Sequence, residues 1–312
     1  MSAVVDVALP VFAIMLAGFL AGRFRILGET SSEALNKFVY WFALPPVLFL
    51  SMATVPLGDV FNWPFIWTFI LGMAAVALPS ILVAKVFFPN SFSGLTLHGL
   101  TSIFANTGYM GIPLFIAAFG ADGALPAVIA TAVNSALIIG LSILFVEIGS
   151  GSGNSPGRVL GDALLAVLRG PLFLAPVAGI LWSAFGLGLP VWLSNFASLM
   201  GSASGPCALF AMGLFLVGKP VSSGLGEVSW LVLAKLVLHP LITWWLAVSV
   251  FHLDFEFTRG AVLMAALPTG TLCFVIAQKY GIFVQRSSAA ILLSTVFSVV
   301  TVSGLLAYFG TG

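Results

Sequence analysis

Stretches of about 20 apolar residues, separated by short polar segments, follow one another along almost the whole chain. A helix of about 20 residues spans the hydrocarbon core of a membrane, because each residue adds about 1.5 Å to its length. The pattern predicts an all-α polytopic membrane protein with about ten transmembrane helices. We place these helices near residues 3–21, 34–53, 63–87, 94–119, 123–147, 160–186, 190–217, 228–251, 258–280 and 287–309.

The fourth predicted helix is interrupted by residues that disfavour helical structure. Gly108 and Gly111 loosen the backbone, and Pro113 lacks an amide hydrogen and clashes with the preceding turn. Unwound backbone is tolerated at membrane depth only where it is buried in protein or lines a water-filled cavity. Asn106 at this break is therefore a candidate substrate ligand, since its amide offers two donors to a carboxylate. The alternative is that Asn106 caps a kinked structural helix.

The ninth predicted helix has a similar break at Pro268 and Gly270, and Thr269 and Thr271 supply its polar groups. These hydroxyls either donate to a substrate or bond back to the preceding turn. Two interrupted helices in corresponding positions are typical of the substrate site of secondary transporters. If the second half-helices begin near Pro113 and Pro268, their free N–H groups form two positive dipole ends. Such a pair can hold an anion without a buried lysine or arginine.

The two halves of the chain match each other at a constant offset of 161 residues, which separates Pro10 from Pro171. The same offset relates Pro45 to Pro206, Pro79 to Pro240, Gly18 to Gly179 and Gly120 to Gly281. Because each half holds an odd number of helices, the second copy is inserted upside down. We therefore predict two inverted repeats, residues 1–148 and 160–312, joined by a cytoplasmic linker at 149–159, with the substrate site between the repeats.

Composition and charge refine this picture. The chain is 60% hydrophobic and 7% charged, and its net charge of +1 without a basic patch argues against nucleic acid as a partner. The basic residues on the side of the odd-numbered loops are Arg23, Arg25, Lys37, Lys85, Arg158, Arg169, Lys219, Lys279 and Arg286, whereas the other side holds Arg259. The positive-inside rule then predicts an inner-membrane protein with both termini periplasmic. We expect Cys207 and Cys273, which lie inside apolar spans, to be small buried hydrophobic residues.

The two breaks and their surroundings resemble the auxin efflux carrier family. The resemblance covers nearly the whole chain and is most specific at Asn106–Leu114 and Ala266–Gly281, with further matches at Lys235–Pro240 and Gly170-Pro171. The family includes plant auxin exporters and bacterial carriers of malonate, malate and similar organic acids. The resemblance implies a fold like that of bile acid sodium symporters, with helices four and nine crossing in a core of helices 3–5 and 8–10. It also implies a scaffold of helices 1, 2, 6 and 7 that forms a homodimer, and an elevator mechanism.

The sequence departs from this family in two respects. Plant members carry a long cytoplasmic loop between the halves, where this chain has only the linker at 149–159. Relatives often place an asparagine a few residues beyond the second crossover proline, and the corresponding position here is Leu272. This departure puts auxin itself in doubt as the substrate.

Several polar residues inside spans have two interpretations. Asn134 in the fifth span and Ser298 in the tenth either flank the substrate site or join helices by hydrogen bonds. Lys235, about 10 Å deep in the eighth span, either extends to the cytoplasmic face or acts as a counter-charge or coupling group. His239, one turn further, is a proton site or a packing residue, and His98 has the same alternatives.

These features predict a carrier of a small organic anion that works by alternating access, not an enzyme, with no cofactor and no metal. The acidic residues Asp6, Asp59, Asp122, Glu147, Asp162, Asp254 and Glu256 lie in loops or near span ends, which argues against sodium or carboxylate coupling. We therefore expect efflux driven by the membrane potential. The alternative is proton-coupled uptake of a dicarboxylate such as malonate through His239 or Lys235. A remote alternative is an intramembrane protease with a Ser204–His239 dyad.

Overall fold

The computed structural model describes residues 8–54, 61–120, 122–134, 139–150, 157–158, 161–162, 165, 168–218 and 224–310. Some predicted features lie outside these residues: Asp6, Asp59, Lys219, residues 3–7 of the first span, and residues 151–156 and 159 of the linker. The same applies to several residues near the start of the sixth predicted span.

The described residues form helices and connections, with one isolated bridge between two extended segments. The α-helices are α1 (Leu9–Arg23), α2 (Glu29–Phe38), α3 (Leu44–Ala53), α4 (Trp63–Phe87), α5 (Phe92–Ile103), α6 (Ile112–Phe119), α7 (Leu125–Val133), α8 (Ile139–Ser150), α9 (Pro171–Ala184), α10 (Val191–Ser202), α11 (Ser204–Phe215), α12 (Leu225–Leu233), α13 (His239–Trp245), α14 (Phe255–Ala266), α15 (Leu272–Tyr280) and α16 (Val284–Phe309). Wider π-helical turns cover Val39–Ala43, Thr107–Gly111, Ala234–Leu238 and Leu246–Val250.

Three of the π-helical turns precede a proline. Pro45, Pro113 and Pro240 each occupy the second position of the helix that follows such a turn. Proline has no N–H to donate to the carbonyl four residues earlier, and its ring clashes with that carbonyl. A wider turn relieves the clash and lets the helix continue, so the sequence itself sets these irregularities.

Within the described ranges, five continuous helical runs are long and apolar enough to cross a membrane: Thr30–Ala53, Trp63–Phe87, Val191–Phe215, Leu225–Val250 and Val284–Phe309. Leu9–Arg23, Thr107–Phe119 and Pro171–Ala184 are shorter apolar helices. The chain is therefore an all-helical polytopic membrane protein, as predicted. Its division into ten spans and two inverted repeats stays a prediction.

Helices α1–α3 and α9–α11 form one packed group, which we call the scaffold group. In it α1 lies along α11, and α3 lies along α9. Both contacts are close enough to require glycine: a Cβ added to Gly18 would lie 2.1 Å from the carbonyl oxygen of Phe210, and one added to Gly179 would lie 2.5 Å from that of Phe49. The two contacts are related by the same offset of 161 residues that relates the two halves of the sequence.

Helices α4–α8 and α12–α16 form the second group, which we call the core group. Here α4 packs on α5 and α13, α13 packs on α14, and α12 packs on α16.

A buried carboxylate that the sequence analysis missed, Glu227, connects several helices of the core group. It lies 2.8 Å from His98 Nδ1 and 2.8 Å from Arg286, and it accepts a hydrogen bond from Asn90 Nδ2 at 2.8 Å. The other ring nitrogen of His98 meets Ser80 Oγ at 3.0 Å, in line with a packing role for this histidine.

Candidate functional site

The two predicted breaks meet and cross inside the core group. The Asn106 N–H donates to the Pro268 carbonyl at 2.9 Å, and the Gly270 N–H donates to the Phe104 carbonyl at 2.9 Å. These bonds form a short antiparallel bridge between Ala105 and Thr269. Backbone groups that unwinding would leave without partners are thereby satisfied by the other broken helix, which removes most of the cost of irregular backbone at membrane depth.

The first break follows the sequence prediction closely. Helix α5 ends at Ile103, and the chain resumes as a π-helical turn over Thr107–Gly111 that continues into α6. Contrary to the prediction, Pro113 does not begin this half-helix: it lies in the first turn of α6, which continues a helix that already starts at Thr107. The Asn106 carbonyl accepts from the N–H groups of Met110 and Gly111 at 3.1 and 3.0 Å, so Asn106 begins the second half-helix with its main chain.

The second break differs from the prediction. Pro268 does not begin a half-helix, because α14 ends at Ala266 and α15 starts only at Leu272. A residue before proline is driven to extended conformation, and Leu267 adopts it, with φ −60° and ψ 151°. Thr269 then fixes the extended segment, because its N–H donates to Ser294 Oγ at 3.1 Å and its hydroxyl donates to the Thr101 carbonyl at 3.1 Å.

A cavity of about 790 Å³ lies beside the crossing, between the core and scaffold groups. Its walls include residues 106–109 of the first break and 270–272 of the second. Amides in the first turn of a helix have no acceptor within that helix, which leaves those of Gly108, Tyr109, Thr271 and Leu272 available at the cavity. Two positive helix ends therefore border one cavity.

Two asparagines line this cavity. Asn106 is 4% exposed, and among the described residues its Nδ2 has only a weak acceptor, the Met212 sulfur of the scaffold group at 3.8 Å. Asn134 Nδ2 donates to the Ala105 carbonyl and the Thr107 hydroxyl, both at 3.3 Å, while its Oδ1 is buried without a partner among the residues that the structure describes. Asn106 thus retains donor capacity toward the cavity, whereas Asn134 supports the bend of the first break.

The other sequence-predicted site residues divide into two sets. Gly108, Gly270, Thr271 and Leu272 line the cavity. Gly111, Pro113, Pro268, Thr269 and Ser298 are not among its lining residues. Thr269 follows neither predicted alternative, because its hydroxyl bonds across to the other broken helix.

Lys235 and His239 lie behind the crossing and away from the cavity wall. Both side chains are fully buried, so Lys235 does not extend to the membrane surface, and that alternative is wrong. Its helix starts at Leu225, which puts Lys235 about 15 Å from the helix end and deeper than the sequence indicated. Lys235 Nζ donates to the carbonyl of Ala265, near the end of α14, and lies 3.2 Å from His239 Nδ1.

The scaffold group supplies cavity residues that sequence reasoning missed. They are Ser32, Asn36, Tyr40, Met212 and Phe215, and the core group adds Tyr109 and Gln278. Glu33 and Lys37 are the charged members of the lining; they form an exposed ion pair at 2.7 Å on α2. The polar face of the short helix α2, with its Ser, Asn and Lys residues, was the sequence signal that could have identified this wall.

The remote protease alternative receives no support from the arrangement of its two residues. Ser204 begins α11 in the scaffold group, and His239 begins α13 in the core group. The Nδ1 atom of His239 faces Lys235, and among the described residues no hydrogen bond joins the histidine to Ser204.

Comparisons with known proteins agree with a transporter. Residues 3–306 match the family described as "Membrane transport protein". A Rhizobium meliloti protein named "Putative malonate transporter" is 32% identical, covering 100% of this chain and 98% of its own. The "Uncharacterized transporter YfdV" of Escherichia coli is 25% identical over 94% of this chain and 93% of its own. "Auxin efflux carrier component 8" of Arabidopsis thaliana is 22% identical over 98% and 96% of the two chains.

The helical fold and these matches define a polytopic membrane transporter. The chain belongs to the membrane transport protein family that includes the auxin efflux carriers, as its sequence motifs predicted.

Proposed function

We propose that this protein is a carrier of a small organic anion, and that the anion binds in the cavity beside the crossing. The observation that supports this most directly is that the N-terminal ends of two helices border one cavity. The charged residues of its lining, Glu33 and Lys37, neutralise each other as an ion pair. Helix N-termini favour anions through their free N–H groups and their dipoles. The Asn106 amide would add a side-chain donor to the bound carboxylate.

Alternating access is supported by the nature of the contact between the two groups. Two side-chain hydrogen bonds cross it between described residues, and both are long: Tyr109 Oη to the Asn36 carbonyl at 3.5 Å, and Asn106 to Met212 at 3.8 Å. Bonds of this length contribute little free energy. The core group could therefore slide along the scaffold group without breaking strong interactions, as an elevator mechanism requires. The glycine contacts at Gly18 and Gly179 support the inverted repeat on which such a mechanism rests.

The orientation of the carrier is part of the proposal. The cavity wall includes Lys37, Gly170 and Gln278, and the last two adjoin Arg169 and Lys279, so the cavity borders the basic side of the protein. By the positive-inside rule this side is cytoplasmic and the termini are periplasmic. We expect alkaline phosphatase fused after Gly312 to be active and a cytoplasmic reporter there to be inactive; the opposite pair of results contradicts the orientation.

The membrane potential is sufficient to drive export. A singly charged anion that leaves across an inside-negative membrane gains about 2.3 kcal/mol per 100 mV. At about 1.4 kcal/mol per tenfold, this corresponds to a concentration ratio of about fortyfold. We propose potential-driven efflux, for which no coupling ion is needed.

Reconstituted vesicles test this proposal. A thermal-shift screen first selects a ligand among mono- and dicarboxylates, with malonate and indole-3-acetate included, because a ligand that binds the folded state raises its stability. With that ligand equal on both sides, a potassium/valinomycin potential at constant pH should drive net anion flux toward the positive side. Potential-independent flux contradicts the proposal.

Proton-coupled uptake of a dicarboxylate such as malonate is the second candidate. It is favoured by the buried pair Lys235 and His239, whose close approach at 3.2 Å provides a titratable site within the core group. In the same vesicles, a pH gradient without a potential should then drive accumulation, and His239→Gln or Lys235→Ala should abolish that response. A response to the potential alone rejects this candidate.

A further inference from the structure

Three polar residues recur at a spacing of four on the eighth predicted span: Lys235, His239 and Thr243. All three side chains are fully buried. They occupy the face of this span that packs on α4 and α14. Because residues four apart share a helix face, they form a continuous polar stripe in an otherwise apolar interior.

Several polar atoms along this stripe have no hydrogen-bond partner within the described part of the chain. His239 Nε2 and Thr243 Oγ1 lack one, and so does Thr68 Oγ1 on the facing helix α4. A buried polar atom without a hydrogen bond costs about 1–3 kcal/mol, and native interiors commonly satisfy such groups with ordered water. Three of them in one seam indicate a hydrated site.

The glycine opposite the stripe lets helix α4 approach the stripe closely. A Cβ added to Gly72 of α4 would lie 2.6 Å from Thr243 Oγ1, so the hydroxyl points at the bare Cα of the glycine. Thr68 lies one turn from Gly72 on the same helix, and the ring of Phe69 lies 6.3 Å from that of His239. Both helices therefore direct their unpartnered groups toward the same seam.

Hydrogen-bond chemistry assigns the protons at Lys235 and His239. A protonated lysine donates only, so His239 Nδ1 must accept from it and the histidine proton resides on Nε2, which faces the seam. The other lysine contact is the Ala265 carbonyl, and the titratable group nearest to it on α15 is Cys273. Among the described residues no carboxylate pairs with Lys235. A cation buried in a membrane span without a counter-ion is a candidate functional group.

We propose that Lys235, His239, Thr243 and Thr68 line a hydrated proton-binding site inside the core group, separate from the substrate cavity. A proton leaves when Lys235 transfers an N–H proton to His239 Nδ1 while the Nε2–H proton passes to a water molecule in the seam. The lysine becomes neutral, the imidazole changes tautomer, and a hydronium ion carries the charge away; binding reverses these steps. This site rests on the proton-coupled form of the proposed carrier, and it can be tested without measuring transport.

The water is tested by radiolytic hydroxyl-radical footprinting of the full-length protein in detergent. We expect modification at His239 and Phe69 well above that at Phe115, which is equally buried in apolar surroundings. Gly72→Ala and, independently, Thr243→Val should reduce this modification several-fold. Gly304→Ala, a helical glycine with open space around it, is the matched control and should change nothing. Modification at His239 no greater than at Phe115 overturns the proposal.

The proton is tested by the difference in melting temperature between the wild type and Lys235→Met from about pH 5 to pH 9, a range in which unfolded lysine stays charged. If Lys235 of the folded protein loses its proton within this range, the difference in melting temperature between the two proteins changes its slope at the pH where the proton is lost. A difference in melting temperature that stays constant with pH means that Lys235 keeps its proton throughout. A difference that changes with the same slope over the whole range means that folded Lys235 never holds the proton. Either result rejects the site. His239→Gln serves as the second variant if Lys235→Met does not fold.

Discussion

Asn106→Ala is expected to lower transport about tenfold to a hundredfold at ligand concentrations below saturation, while the protein keeps a melting temperature close to that of the wild type. The structural role of Asn106 is carried by its main chain, which bonds to Pro268, Met110 and Gly111 and is unchanged in alanine. Its side chain makes, among the described residues, only the weak hydrogen bond to Met212, so little stability is lost. A hydrogen bond to a charged carboxylate is worth about 1.5–3 kcal/mol, or about tenfold to a hundredfold in affinity. Uptake of radiolabelled ligand into vesicles and a thermal melt measure the two effects.

A second substitution separates the donor from the size of the side chain. Asn106→Asp keeps the shape but replaces two donors with a negative charge that repels the bound anion, so it should lower transport further than Asn106→Ala does. Asn195→Ala, an exposed asparagine of α10, is the matched control and should leave transport unchanged. Normal transport by a stable Asn106→Ala protein would locate the substrate elsewhere.

A disulfide between positions 113 and 205 is expected to stop transport completely and reversibly. Pro113 belongs to α6 of the core group and Gly205 to α11 of the scaffold group. A Cβ at Gly205 would lie 3.3 Å from Pro113 Cβ, close to the separation of about 3.5–4.5 Å found in disulfides. If the core group moves along the scaffold group, this bond arrests the protein with its cavity open to the side of Lys37.

The test uses Pro113→Cys/Gly205→Cys in a background with Cys207→Ala and Cys273→Ala, the two cysteines of the chain. Oxidation should abolish flux but preserve the thermal shift produced by the ligand, and reduction should restore flux to the level of Pro113→Cys alone. That single variant is the necessary reference, because losing the proline removes the clash that the π-helical turn at Thr107–Gly111 relieves and should lower transport by itself. Equal flux in the oxidised and reduced double variant would contradict movement between the groups.

Features that depend on local sequence were predictable. The apolar runs mark the long helices because a membrane span is defined by length and hydrophobicity alone. Gly108, Pro113, Pro268 and Gly270 mark both breaks, because these residue types act on the backbone within one turn. Asn106 was identified for the same reason, as the polar residue at a break.

Other local readings were wrong or incomplete. Pro268 was expected to begin a half-helix, but the preceding residue is driven to extended conformation and Thr269 is bonded to two other helices. Glu227 was overlooked, because a carboxylate near a span end looks exposed until His98 and Arg286, which are distant along the chain, surround it.

The sequence by itself determined that this protein is a membrane transporter with two broken helices and an asparagine at one of them. Tertiary structure decided which groups at the breaks border a cavity. This depends on the hydrogen-bonded bridge between Ala105 and Thr269 and on the cavity wall that α2 and α11 form. It also decided that Lys235 is buried against Ala265 instead of reaching the surface. The physical reason is range: backbone propensity and hydrophobicity act within a few residues, whereas burial and hydrogen-bond partnership join residues that are far apart in the chain.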